Sequence, residues 1–159
     1  AKPVVNSTPL VAFWSIGRLD ILRDLFREIM IPPAVRDEFL STEKEMRRKT
    51  LHNESWIRVV ALKNPNRAAI YVGLDEGEAQ VLVLAEEQNA SLVLIDERKA
   101  RRYAERMKLP LSGTLGVLLL AKEEGIIPSV SPLLKAIQKA GLYLHEDLIE
   151  QVLKMAGEK

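Results

Sequence analysis

The 159-residue chain contains no cysteine. That excludes a disulfide framework, a thiolate zinc site and a cysteine nucleophile, and it fits a reducing compartment. Net charge is almost absent as well: 23 Lys and Arg stand against 22 Asp and Glu, leaving +1. The simple pointer from a basic chain to nucleic acid is therefore missing, and any such role must come from local patterning. Long apolar runs are lacking. The longest, Leu115 to Ala121, is interrupted by Gly116 and falls far short of the roughly 20 residues that span a bilayer. The stretch Ala1-Lys2-Pro3-Val4-Val5 reaches polar residues at once and carries no signal-peptide pattern. Repeats, low-complexity segments and linkers are not found. The expectation is a soluble, cytoplasmic protein with no membrane contact, forming one domain over residues 1–159.

What is present is ordinary globular composition, 47% hydrophobic and 28% charged, in a chain long enough to bury about two-thirds of its unfolded surface. Short apolar runs alternate with helical stretches. Val4-Val5 reads as a brief strand, followed by a helix with Thr8 as its cap and Pro9 in its first turn. Leu19, Leu22 and Leu25-Phe26 give a second helical stripe, and Ile29-Met30-Ile31 a second strand. From Pro33 one helix is expected to run through Phe39 into Lys49, with Glu43–Arg47 and Glu45–Lys49 as favourable pairs. Trp56 to Val60 alternates like an edge strand, and Asn64-Pro65-Asn66 reads as a loop.

Asp75-Glu76-Gly77-Glu78 opens a helix with acidic residues where the macrodipole favours them, and its apolar centre from Val81 to Ala85 predicts burial. Ser91 to Ile95 reads as a central parallel strand covered on both faces. A charged helix to about Lys108, a short strand at Pro110-Leu111 and an apolar helix from Thr114 to Glu124 follow. Two last helices, within about residues 130–157, suggest a cap or an oligomerisation element. This alternation predicts an α/β fold, a three-layer α/β/α sandwich around a parallel sheet.

Ligands of such sheets bind outside the carboxyl ends of the strands. Asn6 and Asp96 stand at two such ends, and each could equally be a turn or cap residue. Glu78, in the first turns of an apolar helix, and Glu38, beside Val35 and Phe39-Leu40, could join them. If Asn6, Glu38, Glu78 and Asp96 converge, their oxygens form a cluster that needs a cation to neutralise it. Hard oxygen donors favour Mg²⁺ or Mn²⁺ over zinc, ions that can activate water against a phosphodiester.

Charge patterning adds a second pointer. Asp75 to Glu97 holds seven acidic residues and no Lys or Arg, whereas Arg98 to Lys108 holds six basic residues against Glu105 alone. An acidic site beside a basic helix suits a phosphate backbone, with Arg98 and Lys99 nearest Asp96. The competing reading is a solvated helix with pairs such as Glu97 to Arg101. His52 and His145 are isolated, so no nucleophile triad can be built on either. Gly113-Thr114-Leu115-Gly116 lacks the spacing and lysine of a phosphate-binding loop. A phosphoacceptor receiver would need an acidic pair where this chain has Asn6-Ser7.

Five blocks in order carry a family resemblance: Val4 to Leu10, Ile31 to Leu40, Leu74 to Ala79, Leu94 to Arg101 and Gly113 to Leu118. Together they resemble PIN-domain proteins, and among these the prokaryotic PIN-like proteins related to VapC-type toxins. The resemblance implies the three-layer α/β/α fold and a metal-dependent nuclease site, usually acting on RNA. It aligns the four acidic positions of the family with Asn6, Glu38, Glu78 and Asp96, and its hydroxyl positions with Ser7 and Thr8. It also implies a homodimer and a small antitoxin partner. Asn6 departs from the usual Asp, keeping a carbonyl oxygen but losing a full charge, and Leu94 stands where many relatives have Ser or Thr. These departures bear on activity more than on fold. The functional expectation is a Mg²⁺- or Mn²⁺-dependent ribonuclease, with an attenuated, dimeric RNA- or protein-binding module as the alternative.

Overall fold

A computed structural model of the chain describes residues 2–159. It contains a five-stranded sheet: β1 (Val4–Val5), β2 (Ile29–Ile31), β3 (Ile57–Val59), β4 (Val93–Leu94) and β5 (Leu111–Ser112), in the order β3-β2-β1-β4-β5. Every pairing is parallel, with Val4 opposite both Met30 and Val93, and Val5 opposite Leu94. Parallel neighbours cannot be joined by a tight turn, so each return crosses the sheet through helical segments. The central strands β1 and β4 are wholly buried, as their unbroken Val/Leu character requires. The edges are more polar: Arg58 and Val59 of β3 are exposed.

On one face lie α1 (Ser7–Ser15), α2 (Leu19–Phe26) and α7 (Thr114–Glu123). The final helices α8 (Ser131–Lys139) and α9 (Glu146–Met155) pack against α1 and α7 respectively. On the other face lie α5 (Glu76–Glu87) and α6 (Arg98–Arg106), and α3 (Pro33–Phe39) bridges α1 and α5. The burial expected for α5 is observed from Val81 to Ala85, and the helical period explains it. Val81, Leu84 and Ala85 share the main core with the strands, while Ala79, Leu82 and Val83 form a second cluster with Tyr71 and Ala104. Each set follows the i, i+3, i+4 rule, so α5 buries two faces at once. A Leu or Val buried in this way contributes roughly 1.5–3 kcal/mol.

Four local expectations change. The helix from Pro33 stops at Phe39, and a separate α4 runs over Lys44–Asn53. Between them Ser41 donates from its backbone N–H and, at 2.6 Å, its hydroxyl to the Glu38 carbonyl, and Glu43 turns left-handed at φ 46°. Ser and Thr offer the backbone such local alternatives to helix, which spacing of apolar residues does not reveal. Of the two expected ion pairs, Glu43–Arg47 forms at 3.4 Å, and Glu45–Lys49 is not among the ion pairs of the described residues. The cap of α1 is Asn6 rather than Thr8, and Pro65–Ile70 coils into a 3₁₀ turn instead of an open loop.

The C-terminus is fastened by one side chain. The Glu158 carboxylate accepts from the backbone N–H groups of Val130 (2.7 Å) and Ser131 (2.9 Å) and from Lys122 Nζ (2.9 Å). The Val130 N–H, opposed by burial and assisted by Ser131 and Lys122, holds this carboxyl below the ordinary range for Glu. A depressed folded-state pKa adds stability above the unfolded value and loses it as pH falls through the folded one. Urea denaturation at pH 7 is therefore expected to show Glu158→Ala weakened by about 1–3 kcal/mol. That difference should shrink toward zero on acidification, as pH falls through the depressed folded-state value and the wild-type carboxylate is protonated.

Candidate functional site

The order of the sheet marks the place to look. From β1 the chain passes to β2 on one side, whereas β4 is followed by β5 on the other, so the connections leaving β1 and β4 diverge. At such a switch point the carboxyl ends of adjacent strands bound a crevice. Asn6 stands directly after β1, its N–H donating to the Leu94 carbonyl at 2.9 Å, and Asp96 stands two residues after β4. The neighbouring strand ends expected for this pair are thus observed.

Asn6 is only 4% exposed, and its side-chain oxygen meets no hydrogen-bond donor among the described residues. An unsatisfied buried carbonyl costs about 1–3 kcal/mol, so its surroundings call for explanation. A Cβ at Gly77 would lie 3.2 Å from Glu38 Oε2, 3.5 Å from Asp75 Oδ1 and 3.7 Å from Asn6 Oδ1. Three oxygens from three separated segments therefore surround one point, and only a residue without a side chain leaves that space free. Asp37, Glu38, Asp75 and Glu76 also line a groove of about 560 Å³ between α3 and α5.

Position along the chain assigns Asp75 to macrodipole compensation alone, and the fold adds it to the oxygen set. Its signal in the sequence is its place immediately before the helix and two residues from Gly77. It forms a capping box with Glu78: Asp75 Oδ1 accepts from the Glu78 N–H at 2.8 Å, and Glu78 Oε1 accepts from the Asp75 N–H at 2.9 Å. Burial is the main cause that raises the Glu78 carboxyl above its ordinary pKa, opposed by the Asp75 N–H. The charges of Asp75, Glu97 and Glu38 add to the rise, which places Glu78 within the same negative field.

Asp96 occupies the other side of the crevice. Its carboxylate accepts from the Thr114 N–H (2.8 Å) and the Thr114 hydroxyl (2.6 Å), so the start of α7 clamps both oxygens. Asn6, Glu38 and Asp75 are therefore drawn together, with Glu78 in the same negative field and Asp96 fixed by Thr114 at the neighbouring strand end. Among the described residues, no three His, Asp or Glu side chains are grouped closely enough to enclose an ion. The oxygens around Gly77 are of two kinds, the neutral amide oxygen of Asn6 and the carboxylate oxygens of Glu38 and Asp75. Ser7 is buried and Thr8 half-buried; both line a second cavity that shares Glu38 as a wall.

The basic helix is arranged differently from the expectation. Arg98 and Lys99 are exposed, and Lys99 lies over Gly73. Arg101 is the cation beside Asp96: its Nη1 donates to the Ile95 carbonyl at 2.8 Å and would lie 3.3 Å from a Cβ at Gly113, where Asp96 Oδ1 also sits. Glu97 does not pair with it, because its carboxylate caps α6 through the Ala100 N–H at 2.9 Å. Arg101 lies one residue past Ala100 and three before Ala104, both buried, which is the sequence signal for an inward-leaning position.

Gly113 is extended, so an added methyl meets no backbone strain, but its Cβ would collide with Asp96 Oδ1. Gly113→Ala is expected to break the Asp96–Thr114 clamp and to destabilise the protein by about 1–3 kcal/mol in urea denaturation.

No curated protein matches the chain. A family profile described as a PIN domain matches residues 2–158, nearly the whole length. With this match, the parallel five-stranded sheet and the helices on both faces, the chain belongs to the PIN-domain family.

Proposed function

We propose that this protein is a Mg²⁺- or Mn²⁺-dependent nuclease that hydrolyses RNA phosphodiesters in the crevice beyond β1 and β4. PIN domains are a nuclease-type fold whose members generally use divalent metals. The observation that carries the reading here is the buried Asn6 oxygen, without a donor, beside the carboxylates of Glu38 and Asp75. An amide oxygen buried without a donor and faced by two anions is satisfied by a hard cation.

Asn6, Glu38 and Asp75 would hold the ion, with the Glu78 carboxylate adjacent to them. A bound divalent cation supplies Lewis acidity toward a phosphate oxygen and lowers the pKa of water. Asp96, which Thr114 fixes, would orient an attacking water and accept its proton. Arg101 holds positive charge beside that carboxylate, while Arg98 and Lys99 meet the flanking backbone, a contact that weakens with salt. A toxin role with a small antitoxin, and a homodimer, extend the same proposal.

The neutral Asn6 favours a second reading, an attenuated protein that binds RNA or a partner without efficient cleavage. One charge fewer weakens affinity for a divalent ion, since ligand charge tunes such sites. Calorimetric titration with Mn²⁺ and cleavage of labelled RNA separate the two. Under the nuclease reading, wild type cuts RNA with Mn²⁺ and Asp96→Asn lowers the rate by about 10- to 100-fold. Equal residual cleavage by both proteins would overturn it. Asn6→Asp should tighten Mn²⁺ binding by about tenfold or more. If cleavage begins only in that variant, the attenuated reading holds.

A further inference from the structure

The arginines of α6 stand apart from most others in the chain. Among the described residues, Arg18, Arg23, Arg36, Arg47, Arg58 and Arg67 form ion pairs with carboxylates, whereas Arg98, Arg101, Arg102 and Arg106 form none. The acids beside them do not neutralise them: Glu97 caps the helix through the Ala100 N–H, and Glu105 is exposed and unpaired. Arg102 has Arg98, Lys99 and Arg106 three or four residues away, and only Glu105 of opposite sign at that spacing. Like charges so placed destabilise a helix. The macrodipole adds to the cost, because Arg98 and Lys99 open α6 with no acid in its first turn, whereas α5 opens with Glu76 and Glu78. Both costs are relieved together by a bound polyanion.

Helix geometry sets these charges in a row. Ala100 and Ala104 are buried, so Arg98, Arg102 and Arg106 lie on the opposite, exposed side. Successive members are about 6 Å apart along the axis, and the row runs about 12 Å from the crevice end of the helix. The Arg106 guanidinium lies 5.1 Å from the Tyr103 ring centre, a contact that places its charge without neutralising it. We infer that this row is the track along which a single-stranded RNA leaves the crevice, with Arg98, Arg102 and Arg106 each meeting one backbone phosphate. The track starts at the site, since Arg98 follows Asp96 by two residues. An extended strand offers single phosphates at regular intervals, which a single row of guanidinium groups matches better than the irregular carboxylates of a folded acidic protein do. That the polyanion is RNA rests on the nuclease reading; the polyanion face itself rests on the unpaired arginines.

The test uses the full chain without divalent metal, so that no strand is cut. In fluorescence anisotropy with a single-stranded RNA of about 10 nucleotides, Arg102→Glu is expected to bind about tenfold more weakly than wild type. Lys135→Glu, the same change of charge at an exposed residue of α8 across the sheet, is expected to bind as wild type does. Arg102→Gln is expected to reduce the slope of log affinity against log salt by about 0.7, the contribution of one phosphate contact on a single strand. Both Arg102 variants are expected to unfold at higher urea than wild type, because repulsion within α6 is relieved. Unchanged affinity in both Arg102 variants overturns the inference, as does an equal loss in Lys135→Glu. Weakened binding with a lower urea midpoint makes Arg102 structural and also overturns it, as does an acidic peptide binding α6 in place of RNA. If Arg102→Glu loses affinity while wild type shows no Mn²⁺-dependent cleavage, the track stands and the nuclease reading falls. If wild type cleaves with Mn²⁺ while Arg102→Glu binds RNA undiminished, the nuclease reading stands and the track falls.

Discussion

The pairing of β1 with β4 is the constraint on which the rest of this molecule depends. Two residues of each strand are buried on both faces, and both strands run in the same direction. Parallel pairing forbids hairpins, so the helices must return the chain across the sheet. All carboxyl ends of the strands then face one edge, and α1, α3, α6 and α7 each begin within a few residues of such an end. α5 returns toward β4 and opens at the same edge, where Gly77 lies near Asn6. Helix starts carry partial positive charge and unpaired N–H groups. That single edge is therefore able to hold carboxylates that would repel one another elsewhere.

Three of those carboxylates show how helix starts organise the edge. Asp75 and Glu78 exchange hydrogen bonds with each other's backbone at the start of α5, and Asp96 takes both donors of Thr114 at the start of α7. In each case a side chain that ties down a helix start is also held in a fixed place beside the crevice. An acid that secures a helix start can therefore also border the crevice. Asn6 is the exception, since none of the described residues donates to its oxygen.

The near-zero net charge hides a segregation. The acidic stretch ends at Glu97 and the basic one begins at Arg98, and the fold sets this boundary beside the crevice. Arg101 turns inward to a carbonyl near Asp96, while Arg98 and Lys99 remain at the surface. Arg47 contributes a further positive charge from a distant part of the chain, packed between Trp14 and Phe39. Cancelled globally, the charges are locally polarised in the way that a phosphate backbone would require.

Strand and helix order, the central position of β4, the buried centre of α5 and the candidacy of Asn6, Glu38, Glu78 and Asp96 were all legible in the sequence. Apolar periodicity and strand-end polarity are local properties, and the parallel α/β pattern leaves few topologies for them. The break between α3 and α4, the inclusion of Asp75, the inward turn of Arg101 and the burial of Arg47 were decided only by the tertiary structure. Each depends on groups far apart in the chain: Glu38 and Asp75 meet because α3 packs on α5, and Arg47 is enclosed because Trp14 and Phe39 meet around it. Spacing along one element states which side chains share a face. Only packing between elements states which of them share a point in space.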